Sequence, residues 1–178
     1  VWDPLLQLGG PQLQERAVSG YPPERVPAEA TGVTKLMPPA VTGLGYLEAV
    51  PDATILALAD PNDANGDGIS GVPNTIEPPN YFTPLPSHIP TNGKFIGRFG
   101  KKAGAINLLH QTVNAYIQDM GVTTDFEPVD IFNHEAGSFT GDIAADPEVS
   151  AAIVNQVVFY IRTLKVPPRR NENDPNVK

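Results

Sequence analysis

Asp63-x-Asn65-x-Asp67-Gly68 sets oxygen donors in alternation inside the segment Asp60-Pro-Asn-Asp-Ala-Asn-Gly-Asp-Gly-Ile-Ser-Gly71. This matches the opening of an EF-hand-type calcium loop. A hard divalent cation prefers oxygen ligands, and alternate residues of a tightly curling loop turn their carboxylates and amides to one side. Gly68 permits the sharp turn after the third donor, and Ile69 is expected to add its backbone carbonyl while its side chain packs on the domain. Counted from Asp63, the twelfth position is Asn74 rather than the bidentate Glu of a full EF-hand. Weaker coordination is expected, or coordination completed by Asp60 or Asn62. The competing reading is a metal-free turn, because Asp, Asn and Gly are ordinary turn residues. Strict alternation ahead of Gly68 favours the metal.

The three histidines, His88, His110 and His134, are too dispersed for a local metal motif. His110 falls on the shoulder of an apolar helix face, where a half-buried, hydrogen-bonded ring competes with a ligand or acid–base role. His88 and His134 fall in loops and are expected to be solvated. Met120 ends the same helix face and reads either as core filler or as a thioether ligand to haem iron, and Met37 admits the same two readings. Lys94, Arg98, Lys101 and Lys102 form a basic cluster in an acidic chain. The cluster is either a solvated face or an anchor for an anionic group such as a haem propionate. Trp2 and Tyr116 are lone aromatics, suited to a core or to an electron path. No serine nucleophile elbow, Walker loop or Rossmann fingerprint occurs, and spacing singles out no catalytic Asp/Glu pair.

These residues must be positioned by a chain of 178 residues, 40% of them apolar, which is enough for one packed domain with long excursions. Twenty prolines and 16 glycines predict short elements joined by stiff, irregular connections. The formal charge of −8 argues against a nucleic-acid backbone as partner and disfavours an anionic membrane surface. The absence of cysteine removes disulfides, thiol nucleophiles and haem attachment through Cys-x-x-Cys-His within this chain. No apolar run reaches the length of a membrane span. The opening Val1-Trp2-Asp3-Pro4 suggests a processed protein or a piece of a longer one.

The expected fold class is mainly α, with long irregular Pro/Gly-rich loops. Residues 1–45 read as loop with one short helical turn, 51–59 as a short helix feeding the metal loop, and 72–99 as loop with room for a hairpin. Ile106, Leu109, Val113, Tyr116, Ile117 and Met120 recur at helical spacing and predict a helix over 103–120, stopped by Gly121. Asp146 as N-cap, Pro147 at the first helical position and Glu148 in the first turn predict a second helix ending near Val166. Its predicted buried stripe is Val149, Ile153, Val157, Tyr160, Ile161 and Leu164. The polar residues 167–178 read as a linker.

Several blocks carry a family likeness. They are Gly9-Gly-Pro-Gln-Leu-Gln14, residues 44–59 running into the metal loop, Gly97-Arg-Phe-Gly-Lys-Lys-Ala103, Asp119-Met-Gly-Val-Thr123 and Val166-Pro-Pro-Arg-Arg170. In this order they resemble the bacterial di-haem oxidoreductase family, a peroxidase-like group related to the di-haem cytochrome c peroxidases. The resemblance implies two cytochrome c-like domains, each attaching haem c through Cys-x-x-Cys-His, with this chain lying between the attachment motifs. Residues 1–166 would then be an inter-haem, cytochrome c-like core with the calcium loop at 60–74, and 167–178 a linker to a second haem domain. Val158-Phe-Tyr-Ile-Arg-Thr-Leu164 would close the first haem domain, with Met120, His110, Arg98 and Lys101 in the haem vicinity. The implied cofactors are haem c and calcium. The implied partners are the remainder of the di-haem protein and a small redox protein, in the periplasm or outside the cell. Two departures stand out: no cysteine is present, and Lys101 occupies a position that is commonly Trp in the family. The rival readings are a haem-free, calcium-braced binding or scaffold module of the same fold, and an unrelated calcium-binding surface protein.

Overall fold

Proline fixes φ and removes a backbone donor, so a chain this rich in proline forms helices only in the gaps between its prolines. The computed structural model describes residues 5–9, 12–131, 133–137, 144–171 and 173–176; Trp2 lies outside them. Four α-helices occur among the described residues: α1 (Leu44–Glu48), α2 (Asp52–Ala57), α3 (Leu108–Asn114) and α4 (Ala151–Thr163). Strands β1 (Thr75–Ile76) and β2 (Phe95–Ile96) pair antiparallel, with Thr75 opposite Ile96 and Ile76 opposite Phe95. The mainly helical and irregular character expected from composition is the one the chain adopts. It divides into two compact units, residues 1–37 with 109–156 and residues 38–108 with 157–178.

In the first unit, a 3₁₀ turn (Leu6–Leu8) precedes an irregular segment whose glutamines reach a π-helical turn (Ala115–Asp119). Gln14 Nε2 donates to the Gln118 carbonyl, and Gln12 Nε2 donates to the Asp119 carboxylate. The core of this unit holds Val113, Ile117 and Val154, and the polar Thr123 and Thr124 are fully buried as well. Thr123 N–H donates to Glu148 Oε2 at 3.0 Å, its hydroxyl donates to Asp146, and Glu148 N–H donates to that hydroxyl at 3.1 Å.

That last arrangement corrects the predicted start of the final helix. Asp146 and Glu148 are engaged by Thr123, and Val149 bridges Thr124 in parallel register, so 146–149 is not helical and α4 begins at Ala151. Its first amide is capped from a distance by Asp125 Oδ2 at 2.7 Å, with Ser150 Oγ accepting from Ile153 N–H at 3.5 Å. The buried stripe is also rotated. Val154 and Val158 are buried, whereas the expected Ile153 and Tyr160 are exposed. Apolar residues surround most of this helix, so periodicity alone could not choose the face.

The predicted helix over 103–120 starts late, at Leu108. Ala105 is held in a bridge to Phe99, its carbonyl accepting from the Arg98 and Phe99 amides at 2.9 and 3.1 Å, which withholds 103–106 from the helix. At the other end the π-helical turn accommodates an extra residue and rotates the chain beyond it. Ile106, Val113 and Ile117 stay buried as expected, and Met120 is exposed.

In the second unit the core comprises Ile96, Phe99, Ala105, Ile106, Leu108 and Val158. Pro51 stands as the extended N-cap residue of α2. The 72–99 stretch contains the short antiparallel pair and, between its strands, a two-residue reversal at Asn92-Gly93. Both residues have positive φ (51° and 81°), while Thr91 and Lys94 exchange hydrogen bonds at 2.9 and 3.0 Å. This is the twist-matched hairpin turn that Asn-Gly favours. Gly45 of α1 lies where an added Cβ would meet the Arg162 carbonyl, so α1 and the end of α4 approach at backbone contact.

Candidate functional site

A buried polar network lies within the second unit and joins residues far apart in sequence. Arg98 follows β2, and its guanidinium is carried into the unit with a side chain 3% exposed. Its Nη2 pairs with the Asp52 carboxylate, itself 1% exposed at the start of α2. Its Nη1 points at the carbonyls ending α1, reaching Val50 at 2.6 Å, Glu48 at 3.2 Å and Leu47 at 3.3 Å. One cation thus satisfies carbonyls that a helix C-terminus leaves unpaired and neutralises a buried anion. Asp52 is held from two sides: its N–H donates to the Ser87 carbonyl at 3.1 Å, and its Oδ2 accepts from Ile89 N–H at 2.8 Å.

A second pair continues the network. Glu48 accepts from Arg162 Nε at 2.5 Å and Nη2 at 3.1 Å, and also from the Leu108 amide at 2.8 Å. The bidentate bond to Glu48 raises the Arg162 pKa. Two cations and two carboxylates therefore tie α1, α2, the 98–108 segment and the end of α4 together. His88 stands beside them. It is not the solvated loop residue expected from sequence: its ring stacks on Phe82 at 5.4 Å between centroids and meets Phe95 edge-on at 6.1 Å. Burial lowers its pKa, Arg98 adds to that, and Asp52 and Glu48 oppose it.

In the 60–71 loop the oxygens are turned to the loop's own amides. Both Asp63 oxygens lie 3.1 Å from Gly68 N–H, Asn65 Oδ1 accepts from Asp67 N–H at 2.9 Å, and Asp67 Oδ1 accepts from Ile69 N–H at 2.9 Å. Asp60 closes the base, bridging Gly71 and accepting from Ala64 and Asn65. The Ile69 side chain is 68% exposed and does not pack as expected. Asn74, at the twelfth position, donates instead to the Lys102 and Ala103 carbonyls at 3.3 and 3.0 Å. Among the described residues, no three His, Asp or Glu side chains converge as a metal cage.

Of the other sequence candidates, Lys101 and Lys102 are exposed, and Lys94 pairs with Glu77 at the surface, 3.3 Å apart. Arg98 is withdrawn from that basic cluster into the buried network. His110 is half-buried, and burial lowers its pKa. It belongs to the first unit, Arg98 and Lys101 to the second.

The model of one protein family, described as "di-haem oxidoreductase, putative peroxidase", matches residues 30–178. The chain belongs to this family. No curated protein and no solved structure matches it significantly. The family match spans the buried Arg98–Asp52 pair, the Glu48–Arg162 pair and the 60–71 loop. In this family member the first unit also carries a cleft of ≈ 270 Å³, lined in part by Glu24, Arg25, Glu29 and His134. Burial raises the Glu24 pKa, while the Gln14 amide, donating at 2.5 Å, works against that rise.

Sequence reasoning does not find Asp52, Glu48 or Arg162. Asp52 after Pro51 reads as an ordinary first-turn acid, and Glu48 and Arg162 lie 114 positions apart. The available signal is Arg98 itself, an arginine between apolar Phe95, Ile96 and Phe99, where a buried guanidinium requires a carboxylate.

Proposed function

We propose that this chain is a segment of a di-haem c-type, peroxidase-like electron-transfer oxidoreductase working in the periplasm or outside the cell. In this reading its helices form walls of a haem pocket, and the 60–71 loop is a structural calcium brace. The observation that carries it, beyond family membership, is a set of aromatic rings left uncovered in the second unit. Tyr46 on α1 and Phe159 and Tyr160 on α4 are each about two-thirds exposed, at 66%, 68% and 62%. Large apolar surface in water marks a place where something docks. These rings sit on two helices joined by the Glu48–Arg162 pair and by the close approach at Gly45, which supports reading them as parts of one wall.

A haem c, when bound, supplies one-electron chemistry towards peroxide or another small oxidant. The chain's own residues exclude water with Tyr46, Phe159 and Tyr160, and the Arg98 network fixes the angle between the helices that carry them. Arg98, its side chain 3% exposed, would act on a bound haem through the helices it ties rather than as an anchor for an anionic group. In the first unit, Met120 with its exposed thioether and half-buried His110 would hold or neighbour a haem. Residues 167–178 would lead towards the second haem domain, and a small redox protein would exchange electrons with the whole.

In the loop, each Asp63 and Asp67 carboxylate keeps lone pairs beyond those used by the amides. With Asn65 and the Ile69 carbonyl they would supply oxygen ligands to calcium. The experiment is substitution in the whole protein: Phe159→Ala and Tyr160→Ala are expected to shift the Soret maximum and one haem potential. Unchanged spectra and potentials in both variants would remove these rings from the haem wall, and a whole protein with no Soret band would favour the haem-free scaffold reading.

A further inference from the structure

His88 occupies a turn whose hydrogen bonds run through its ring. The His88 amide donates to the Leu85 carbonyl at 3.0 Å, and the Leu85 amide donates back to His88 Nδ1 at 3.1 Å. A ring nitrogen that accepts a backbone N–H carries no proton, so this closure requires the neutral imidazole. The flanking residues of the same turn grip Asp52: the Ser87 carbonyl takes its amide, and the Ile89 amide reaches its carboxylate. Asp52 in turn holds Arg98, which caps α1.

We propose that His88 is a proton-operated latch: adding a proton at Nδ1 opens the 85–88 turn and releases its hold on Asp52. Protonation sets one N–H against another, and the 85–88 closure has no neutral alternative through that nitrogen. The charged groups facing the ring are Asp52, Arg98 and Glu48. The two carboxylates favour the imidazolium and Arg98 opposes it. Phe82 and Phe95, packed on the ring, bring no charge. Burial is the largest influence and keeps the closed ring neutral below the ordinary value of 6.5. The open turn, with a solvated ring, takes up the proton nearer 6.5. Closure is therefore complete above about 6.5 and weakens as pH falls towards the depressed value of the closed form. Over that interval the opening equilibrium grows up to about tenfold per pH unit.

The test is hydrogen exchange of the Leu85 and Ile89 amides in the full chain between pH 7.5 and 5, corrected for intrinsic rates, alongside ¹⁵N detection of the His88 ring. The expected result is an unprotonated Nδ1 at pH 7.5 and a joint loss of Leu85 and Ile89 protection at the ring's own titration midpoint. In His88→Asn, which cannot titrate, protection of Ile89 should be the same across the range, whatever its level. Protection that stays flat in the wild type, or falls equally in His88→Asn, overturns the proposal. So does a ring that is protonated at Nδ1 at pH 7.5.

Discussion

Replacing Arg98 by alanine removes the cation from a carboxylate that is 1% exposed and takes the donor from the Leu47, Glu48 and Val50 carbonyls in one step. Asp52 keeps the Ile89 amide at 2.8 Å but loses its charge partner in a place water does not reach. Breaking a buried pair from one side costs about 3–5 kcal/mol, because the remaining ion is left uncompensated. In a protein of this size each kcal/mol moves the melting temperature by about 2–4 °C, so Arg98→Ala should melt roughly 6–20 °C lower. Circular dichroism in a urea and a thermal series reads both quantities. Asp52→Ala should cost a similar amount, and the double variant should cost less than the sum by about 1–3 kcal/mol, since neither ion is then orphaned. A loss below about 1 kcal/mol for Arg98→Ala, the range of exposed pairs, would refute the claim that this network fixes the helices.

The surface pair Lys94–Glu77 supplies the contrast: with side chains 44% and 72% exposed, Lys94→Ala should change stability by less than about 0.5 kcal/mol in the same assay. Gly45→Ala drives a Cβ into the Arg162 carbonyl and should destabilise by about 1–3 kcal/mol, read as a lower denaturation midpoint. Burial depresses the His110 pKa, so the unfolded chain binds more protons. Stability is then full above 6.5, falls as pH drops from 6.5 towards the depressed folded value and levels off below it, and His110→Gln should flatten that slope between pH 7 and 5. For the loop, calcium at a hundred times its Kd should stabilise the wild type by about 2.7 kcal/mol. Asp63→Asn, which retains an acceptor for the Gly68 amide, should lose most of that gain and change little in chelator. Equal melting of the wild type in calcium and chelator would remove the metal from the account.

Legibility of the sequence depends on the range of the interactions. The helical and irregular character, the short helix after Pro51 and the buried Ile106, Val113 and Ile117 come from composition and local periodicity. The late start of α3 is hidden because Ala105 is claimed by Phe99, a pairing no helix pattern reports. The start of α4 is misplaced because Asp146-Pro147-Glu148 carries every local signal of a helix N-terminus. Thr123 engages those side chains, and the true cap is the plainer Ser150 with Asp125. The 60–71 loop is visible as a turn with aligned oxygens, since its side-chain bonds span five residues or fewer, whereas the diversion of Asn74 to Lys102 and Ala103 is not. Arg98 stands out by charge, but its partner Asp52 lies 46 positions away and only the fold brings it near.

Membership of a di-haem family leads us to expect that this chain is part of a protein that carries two haems. The most direct measurement is the pyridine haemochrome spectrum of the whole protein, produced with c-type cytochrome maturation and quantified against chain concentration. Two haem c groups per chain are predicted, with the Soret band responsive to Phe159→Ala. A whole protein with no haem contradicts the account.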